Sequence, residues 1–115
     1  MDIIYYLASC DTCRKIIKSL PANNLAFHDI RQQPLTEEII DNMRSLSGSY
    51  ESLFSKKAVL YNSMNLKSQQ LSEDDYRKYL LQHYTFLMRP VFIIGGKIYI
   101  GNSQKNINEV ISILS

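Results

Sequence analysis

The chain has two cysteines, and they stand at a junction between a strand and a helix. The apolar run over residues 3–7 predicts a buried strand. From Cys13 onward, apolar residues recur at the spacing of one helical face, which predicts a helix over residues 11–20. Cys10 and Cys13 therefore open the first helix. A Cys-x-x-Cys pair at a strand-to-helix turn is typical of a redox motif, so this feature constrains both fold and chemistry.

The remaining apolar pattern predicts one sheet. Residues 25–30 form a second predicted strand, and residues 91–94 and 97–100 flank Gly95-Gly96 as a hairpin with a two-residue turn. A strand–helix–strand start requires parallel strands, whereas a hairpin adds an antiparallel pair. We therefore predict an α/β fold with a four-stranded mixed sheet.

Capping residues mark three further helices. Thr36, Ser72 and Ser103 each precede a helical pattern, and Asp75 completes a capping box with Ser72. The helix after Thr36 has an expected apolar stripe of Ile39, Ile40, Met43 and Leu46. Residues 50–70 have a weaker pattern, which predicts one or two short helical turns.

Length and composition exclude several classes of protein. The 115 residues fit a single domain, 1–115, that buries its core without disulfides or structural metals. A net charge of +2 is too small to indicate direct nucleic-acid binding. The sequence contains neither a membrane-length apolar segment nor a signal-peptide pattern, nor a glycine motif for a bound cofactor. We expect a cytoplasmic protein, whose thiols are mostly reduced.

The position of Cys10 predicts an activated thiol. Unpaired N–H groups at a helix start favour an anion such as a thiolate. Arg14 and Lys15 are expected to add positive charge, while Asp11 opposes it. Cys13 lies on the apolar face and is expected to be more buried and less reactive. We predict that Cys10 attacks a substrate and that Cys13 resolves the intermediate by forming a disulfide with Cys10.

Two other interpretations of the cysteine pair stay open. The cysteines could be two small apolar core residues with no chemistry. They could also be half of a zinc site, but zinc takes four ligands, and only His28 and His83 could complete the set. We expect both histidines at the surface, away from the pair, and therefore predict no metal.

Three longer motifs occur in order along the chain. They are Tyr5-Tyr6 followed by Cys10-x-x-Cys13-Arg14-Lys15, then Met88-Arg89-Pro90-Val91, then Gly95-Gly96-Lys97-Ile98-Tyr99-Ile100-Gly101. Together they resemble the arsenate reductase (ArsC) family, including its Spx-type and YffB-type branches. The resemblance covers nearly the whole chain.

The resemblance implies a thioredoxin-like fold with a helical insertion over about 31–87, between the second and third strands. It implies that Pro90 is a cis-proline beside Cys10, and that Arg89 binds an anion through its guanidinium. Cys10, Cys13 and Arg89 are the predicted catalytic residues. The predicted substrate-binding residues are Ser9, Asp11, Thr12, Arg14 and Pro90.

The implied function is a thiol-dependent oxidoreductase that reduces a small oxyanion or a disulfide, with glutathione, a thioredoxin or a glutaredoxin as reductant. Two arginines of true arsenate reductases are absent, because Ser55 stands at one position and Gly101-Asn102 at the other. A second cysteine, Cys13, is typical of Spx-type members. One alternative is therefore a redox-sensing transcriptional regulator that binds RNA polymerase. Another is a family member that only binds glutathione.

Overall fold

The computed structural model describes residues 2–115, which form two compact units. The sheet unit consists of the residues up to Gln33 together with Arg89–Ser115. The helical unit is Pro34–Met88, whereas the sequence placed the insertion at about 31–87. No helix among residues 2–115 has the length and apolar composition needed to span a membrane.

The sheet unit contains four strands and two helices. The strands are β1 (Ile3–Tyr6), β2 (Ala26–Asp29), β3 (Val91–Ile94) and β4 (Lys97–Ile100), and the helices are α1 (Asp11–Ser19) and α5 (Gln104–Leu114). The strand order is β2-β1-β3-β4. β1 runs parallel to β2, while β1–β3 and β3–β4 are antiparallel, so the predicted four-stranded mixed sheet is confirmed.

The core of the sheet unit lies between the sheet and both of its helices. Ile4 of β1 pairs with Phe92 of β3, and neither side chain is exposed. α1 adds Ile16 to the same cluster, and α5 adds Ile107 and Val110. Each helix buries one apolar stripe because its apolar residues recur at helical spacing. Both helices of this unit therefore pack on the same face of the sheet.

The β3–β4 hairpin turns through Gly95 and Gly96, as predicted. Both glycines have positive φ, 58° and 77°. A two-residue hairpin turn of this kind needs positive φ at both central positions, which glycine adopts at little cost. The turn sets the register in which Val91 lies opposite Ile100.

The helical unit is built from short elements. They are α2 (Glu37–Ser47), α3 (Val59–Ser63) and α4 (Glu73–Gln82), with 3-10 turns at Glu51–Leu53, Leu66–Ser68 and Tyr84–Phe86. Thr36 caps α2, and Ser72 forms the predicted capping box with Asp75 at α4. The prediction for Leu46 was wrong: it is 37% exposed, because the buried face of α2 ends one turn earlier at Met43. The 50–70 segment contains three short elements instead of one or two.

Candidate active site

Cys10 occupies the turn between β1 and α1. It is the N-cap residue of α1, with an extended backbone (φ −90°, ψ 118°), and its side chain makes no conventional capping hydrogen bond. Its N–H donates to the Leu7 carbonyl at 3.0 Å, and its carbonyl accepts from the Arg14 N–H at 3.1 Å. These backbone bonds hold Cys10 half-buried at the helix start, with its sulfur beside the N–H groups of the first helical turn.

Cys13 lies one turn into α1 and is fully buried. Burial raises the pKa of the Cys13 thiol to about 11. The N–H of Leu7 acts in the opposite direction, the nearby Cys10 raises the pKa further, and the charge of Arg89 lowers it. Cys13 is therefore a protonated thiol at neutral pH, as the sequence predicted for the less reactive cysteine.

Cys10 has the opposite shift. Partial burial alone raises the pKa of Cys10, but four interactions outweigh it. The sulfur interacts with the N–H and the thiol of Cys13, with the N–H of Thr12, and with the charge of Arg89. The pKa of Cys10 is lowered as a result. The two thiols are thus separated into a nucleophile and a proton-bearing neighbour.

We expect the two cysteines to alkylate in separate pH ranges. Thiolate reactivity appears as the pH rises through each folded-state pKa, so Cys10 should react with iodoacetamide at a midpoint below an ordinary thiol's value of about 8.5. Cys13 should resist until the pH approaches about 11. Tandem mass spectrometry of the peptide that carries both residues separates the two rates. The control is the chain unfolded in urea, in which both thiols should titrate together. If they also titrate together in the folded protein, the assignment of opposite pKa shifts to Cys10 and Cys13 is wrong.

Arg14, one turn after Cys10, is itself paired on the exposed face of α1. Arg14 forms an ion pair with Asp11 and also donates to the Ala8 carbonyl at 2.9 Å. Because these residues lie three apart on the exposed face of α1, the carboxylate offsets the guanidinium. Arg89 is a charged group whose interaction with the thiol lowers the pKa of Cys10. The expectation that Arg14 adds positive charge stays a prediction, and its guanidinium is paired with Asp11, the residue expected to oppose it.

Arg89 and Pro90 precede β3. Tyr5 pairs with Val91 across the antiparallel β1–β3 ladder, so the loop before β3 lies beside the loop after β1 that carries Cys10. The Arg89–Pro90 peptide bond is cis, as the resemblance implied. Pro90 is buried and Arg89 is half-buried. The sheet register thus brings together residues from the two ends of the chain.

The other predicted site residues are distributed around this centre. Ser9 is exposed in the turn before Cys10, and Thr12 is exposed in the first turn of α1. Ser55 belongs to the helical unit, where its N–H donates to the Phe86 carbonyl at 2.7 Å. Asn102 is exposed after β4. The two positions where arsenate reductases carry further arginines thus hold neutral side chains here.

The histidines make local contacts. His28 lies in β2, contacts the tilted ring of Tyr5 with ring centroids 4.9 Å apart, and shares a hydrogen bond with the Gln33 carbonyl. His83 caps the turn after α4 by accepting from the Thr85 N–H. Among the residues described, no group of three or more Cys, His, Asp and Glu side chains is arranged to hold a metal.

Gly101 stands in one of the family motifs and at a position without arginine, but the sequence did not predict its contact with Pro90. It follows β4, is buried, and has a positive φ of 93°. Its N–H donates to the Pro90 carbonyl at 2.8 Å, which extends the β3–β4 ladder to the proline. A glycine directly after a strand and before a capped helix was the available signal, because such a glycine indicates a left-handed backbone.

The chain is similar to several known proteins in sequence and in fold. The ArsC family model matches residues 5–110. The global transcriptional regulator Spx 2 of Bacillus anthracis is 21% identical over 95% of this chain and 86% of its own, and the uncharacterised protein YusI of Bacillus subtilis is 26% identical over 91% and 93%. The solved arsenate reductase of Vibrio cholerae superposes with a TM-score of 0.75 at 20% identity, covering 98% of this chain and 97% of that one, and shares the thioredoxin-like fold. With a match that spans most of its length, the chain belongs to the ArsC family.

Proposed function

We propose that the protein is a thiol-dependent oxidoreductase in which Cys10 is the nucleophile and Cys13 the resolving thiol. One observation carries the proposal: a half-buried Cys10 with a lowered pKa stands beside a fully buried Cys13 whose pKa is raised to about 11. Opposite shifts in adjacent thiols are what a two-step exchange needs, since one sulfur must attack while the other keeps its proton.

With a disulfide substrate, the reaction proceeds in two exchanges. The Cys10 thiolate attacks one substrate sulfur, a mixed disulfide forms, and the other sulfur leaves as a thiolate that takes up a proton. Cys13 then loses its proton and attacks the Cys10 sulfur, which releases the second substrate thiol. The substrate gains two electrons and two protons, and the enzyme is left with a Cys10–Cys13 disulfide. Glutathione, a thioredoxin or a glutaredoxin then reduces that disulfide in the cytoplasm, where thiols are kept reduced.

A small oxyanion is the other substrate class of the proposal. Arsenate would bind Arg89 through paired hydrogen bonds and form a bond from arsenic to the Cys10 sulfur with loss of water. A second thiol attacks that sulfur, and arsenic leaves with the bonding electron pair as arsenite. Ser55 and Asn102 provide no positive charge at the positions where arsenate reductases have arginines. We therefore place disulfides ahead of arsenate as substrate.

Substrate recognition in this proposal uses the exposed rim of the thiol site. Ser9, Asp11, Thr12 and Arg14 lie in the turn before α1 and in its first helical turn, on the exposed side of Cys10. Pro90 precedes β3, in the loop that the β1–β3 register brings beside the loop carrying Cys10. A substrate thiol group would lie between these two loops, with Cys10 at their junction.

Cys13→Ser should trap the first intermediate. Serine cannot displace the substrate from Cys10, so a mixed disulfide with glutathione or substrate should accumulate. Intact-protein mass spectrometry after exposure to oxidised glutathione should show one glutathione adduct on Cys13→Ser, none on Cys10→Ser, and a loss of two mass units in the wild type. An equally stable adduct on the wild type would mean that Cys13 does not resolve the intermediate.

A redox titration tests the pair directly. The purified protein is equilibrated at set ratios of reduced to oxidised glutathione, alkylated, and analysed for the Cys10–Cys13 disulfide. We expect the transition near the cytosolic glutathione potential, roughly −220 to −320 mV. Two free thiols under strongly oxidising conditions would contradict the two-cysteine mechanism.

A regulatory function is the second candidate, favoured by the relative named global transcriptional regulator Spx 2, which matches 95% of this chain. In this case the same pair is a sensor, and its oxidation changes the binding of RNA polymerase without turnover. Tagged protein, prepared reduced and oxidised, would be incubated with purified RNA polymerase. Redox-dependent binding favours the regulator, whereas disulfide turnover without polymerase binding in either state favours the enzyme.

A further inference from the structure

Asn106 is connected to the thiol site through Gly101. The side-chain amide of Asn106, in the first turn of α5, donates from Nδ2 to the Gly101 carbonyl at 2.8 Å. The N–H of Gly101 donates in turn to the Pro90 carbonyl, also at 2.8 Å. Gly101 is therefore held at its carbonyl by Asn106 of α5 and at its N–H by the carbonyl of Pro90.

The amide of Asn106 is not required to cap its own helix. Ser103 is the N-cap of α5, and its hydroxyl oxygen accepts from the backbone N–H of Asn106 at 3.2 Å. Asparagine is a weaker helix former than alanine, and its side chain competes for backbone groups outside the helix. Here the group it binds is the carbonyl of a buried residue with left-handed φ, which would otherwise lack this donor.

We propose that Asn106 is a positioning residue, which keeps the Arg89–Pro90 segment in place beside the thiol pair by holding Gly101. The inference rests on the proposed function, because a positioning role needs a thiol whose reactivity depends on this segment. Arg89 is one of the groups that stabilise the Cys10 thiolate, and a Coulomb interaction weakens as the charges separate. Releasing Gly101 lets the Pro90 carbonyl shift, and Arg89 shifts with it.

The test compares Asn106→Ala with Asn108→Ala. Both remove an amide from α5 without changing charge, but Asn108 is exposed and its side-chain oxygen accepts from the Gln104 amide of the same helix. Asn106→Leu serves as a second variant, because leucine fills the space of the half-buried side chain and cannot donate. The readouts are the pH midpoint of iodoacetamide reaction at Cys10, the hydrogen exchange of the Gly101 amide, and the melting temperature.

For Asn106→Ala we expect the Cys10 midpoint to rise by about half a pH unit, because Arg89 is held less firmly beside the thiolate. The Gly101 amide should exchange about fivefold faster, since a hydrogen bond contributes about 1 kcal/mol. Asn106→Leu should give the same changes, and Asn108→Ala should give neither. This pattern, with melting temperatures close to that of the wild type, supports the positioning role.

Three results would overturn the inference. They are an unchanged Cys10 midpoint in both Asn106 variants, an equal rise in Asn108→Ala, or a fall in melting temperature with no change at Cys10. The last result would assign Asn106 to stability alone. If instead the wild-type Cys10 already titrates like an ordinary thiol, the proposed function itself fails, so the two failures are distinguishable.

Discussion

Cys10→Ser should reduce the turnover of a disulfide substrate by roughly 10⁴-fold to 10⁶-fold, the size of loss found when a member of a catalytic unit is removed. The physical reason is that the thiolate is the attacking species, and a serine hydroxyl stays protonated in the same position. The assay is the reduction of hydroxyethyl disulfide with glutathione, followed by the consumption of reduced nicotinamide cofactor through glutathione reductase. The background reaction of glutathione alone sets the lower limit.

The matched control is Lys18→Ser, which introduces the same residue on the exposed side of the same helix. It should retain wild-type turnover. Far-UV circular dichroism of both variants establishes that α1 is intact. Comparable turnover by Cys10→Ser and the wild type would remove Cys10 from the mechanism, whichever substrate is used.

Phe92→Ala should lower the free energy of unfolding by about 3–5 kcal/mol. Phe92 is fully buried in the core of the sheet unit, between Ile4 on the neighbouring strand and the helices on that face. Removing its ring leaves a cavity that the surrounding side chains fill only in part. Since small domains are stable by only about 5–15 kcal/mol, this loss is a large share of the total.

Urea denaturation followed by circular dichroism measures this effect, and Phe27→Ala is the matched control. Phe27 lies on β2 with 49% of its surface exposed and contacts the edge of Tyr6. Its removal should cost about 1 kcal/mol or less. Equal losses in the two variants would mean that the cluster around Phe92 is not the main source of stability in this unit.

The elements of the fold could be predicted where the sequence has strong local signals. The β3–β4 hairpin follows from two apolar runs around Gly95-Gly96, and the start of α4 follows from the Ser72–Asp75 capping box. Residues 50–70 were less predictable, because α3 and the neighbouring 3-10 turns are too short for helical periodicity to develop. The wrong prediction for Leu46 has a related cause. The spacing of apolar residues indicates which face of a helix is buried, but not at which residue that burial ends.

The sequence predicted the direction of the pKa shifts of the two thiols but not all of their causes. The opposite character of Cys10 and Cys13 follows from one being at the helix start and the other on the apolar face. Arg14 was expected to add positive charge because it is near in sequence, and its guanidinium is paired with Asp11. Arg89 also lowers the pKa of Cys10, and the β1–β3 register that brings it near is a long-range contact that no local pattern reveals. The link from Asn106 through Gly101 was hidden for the same reason.

The sheet unit is assembled from both ends of the chain, and this sets the order of events during its synthesis. A ribosome makes β1, α1 and both cysteines first, but it must add all of Pro34–Met88 before Arg89 and β3 emerge. At roughly 5–20 residues per second, that interval lasts several seconds. Through this time Cys10 lacks the guanidinium that lowers its pKa, so the nascent chain has a less ionised thiol than the finished protein. The set of interactions that lowers the pKa of Cys10 is therefore complete only when the C-terminal strands are available.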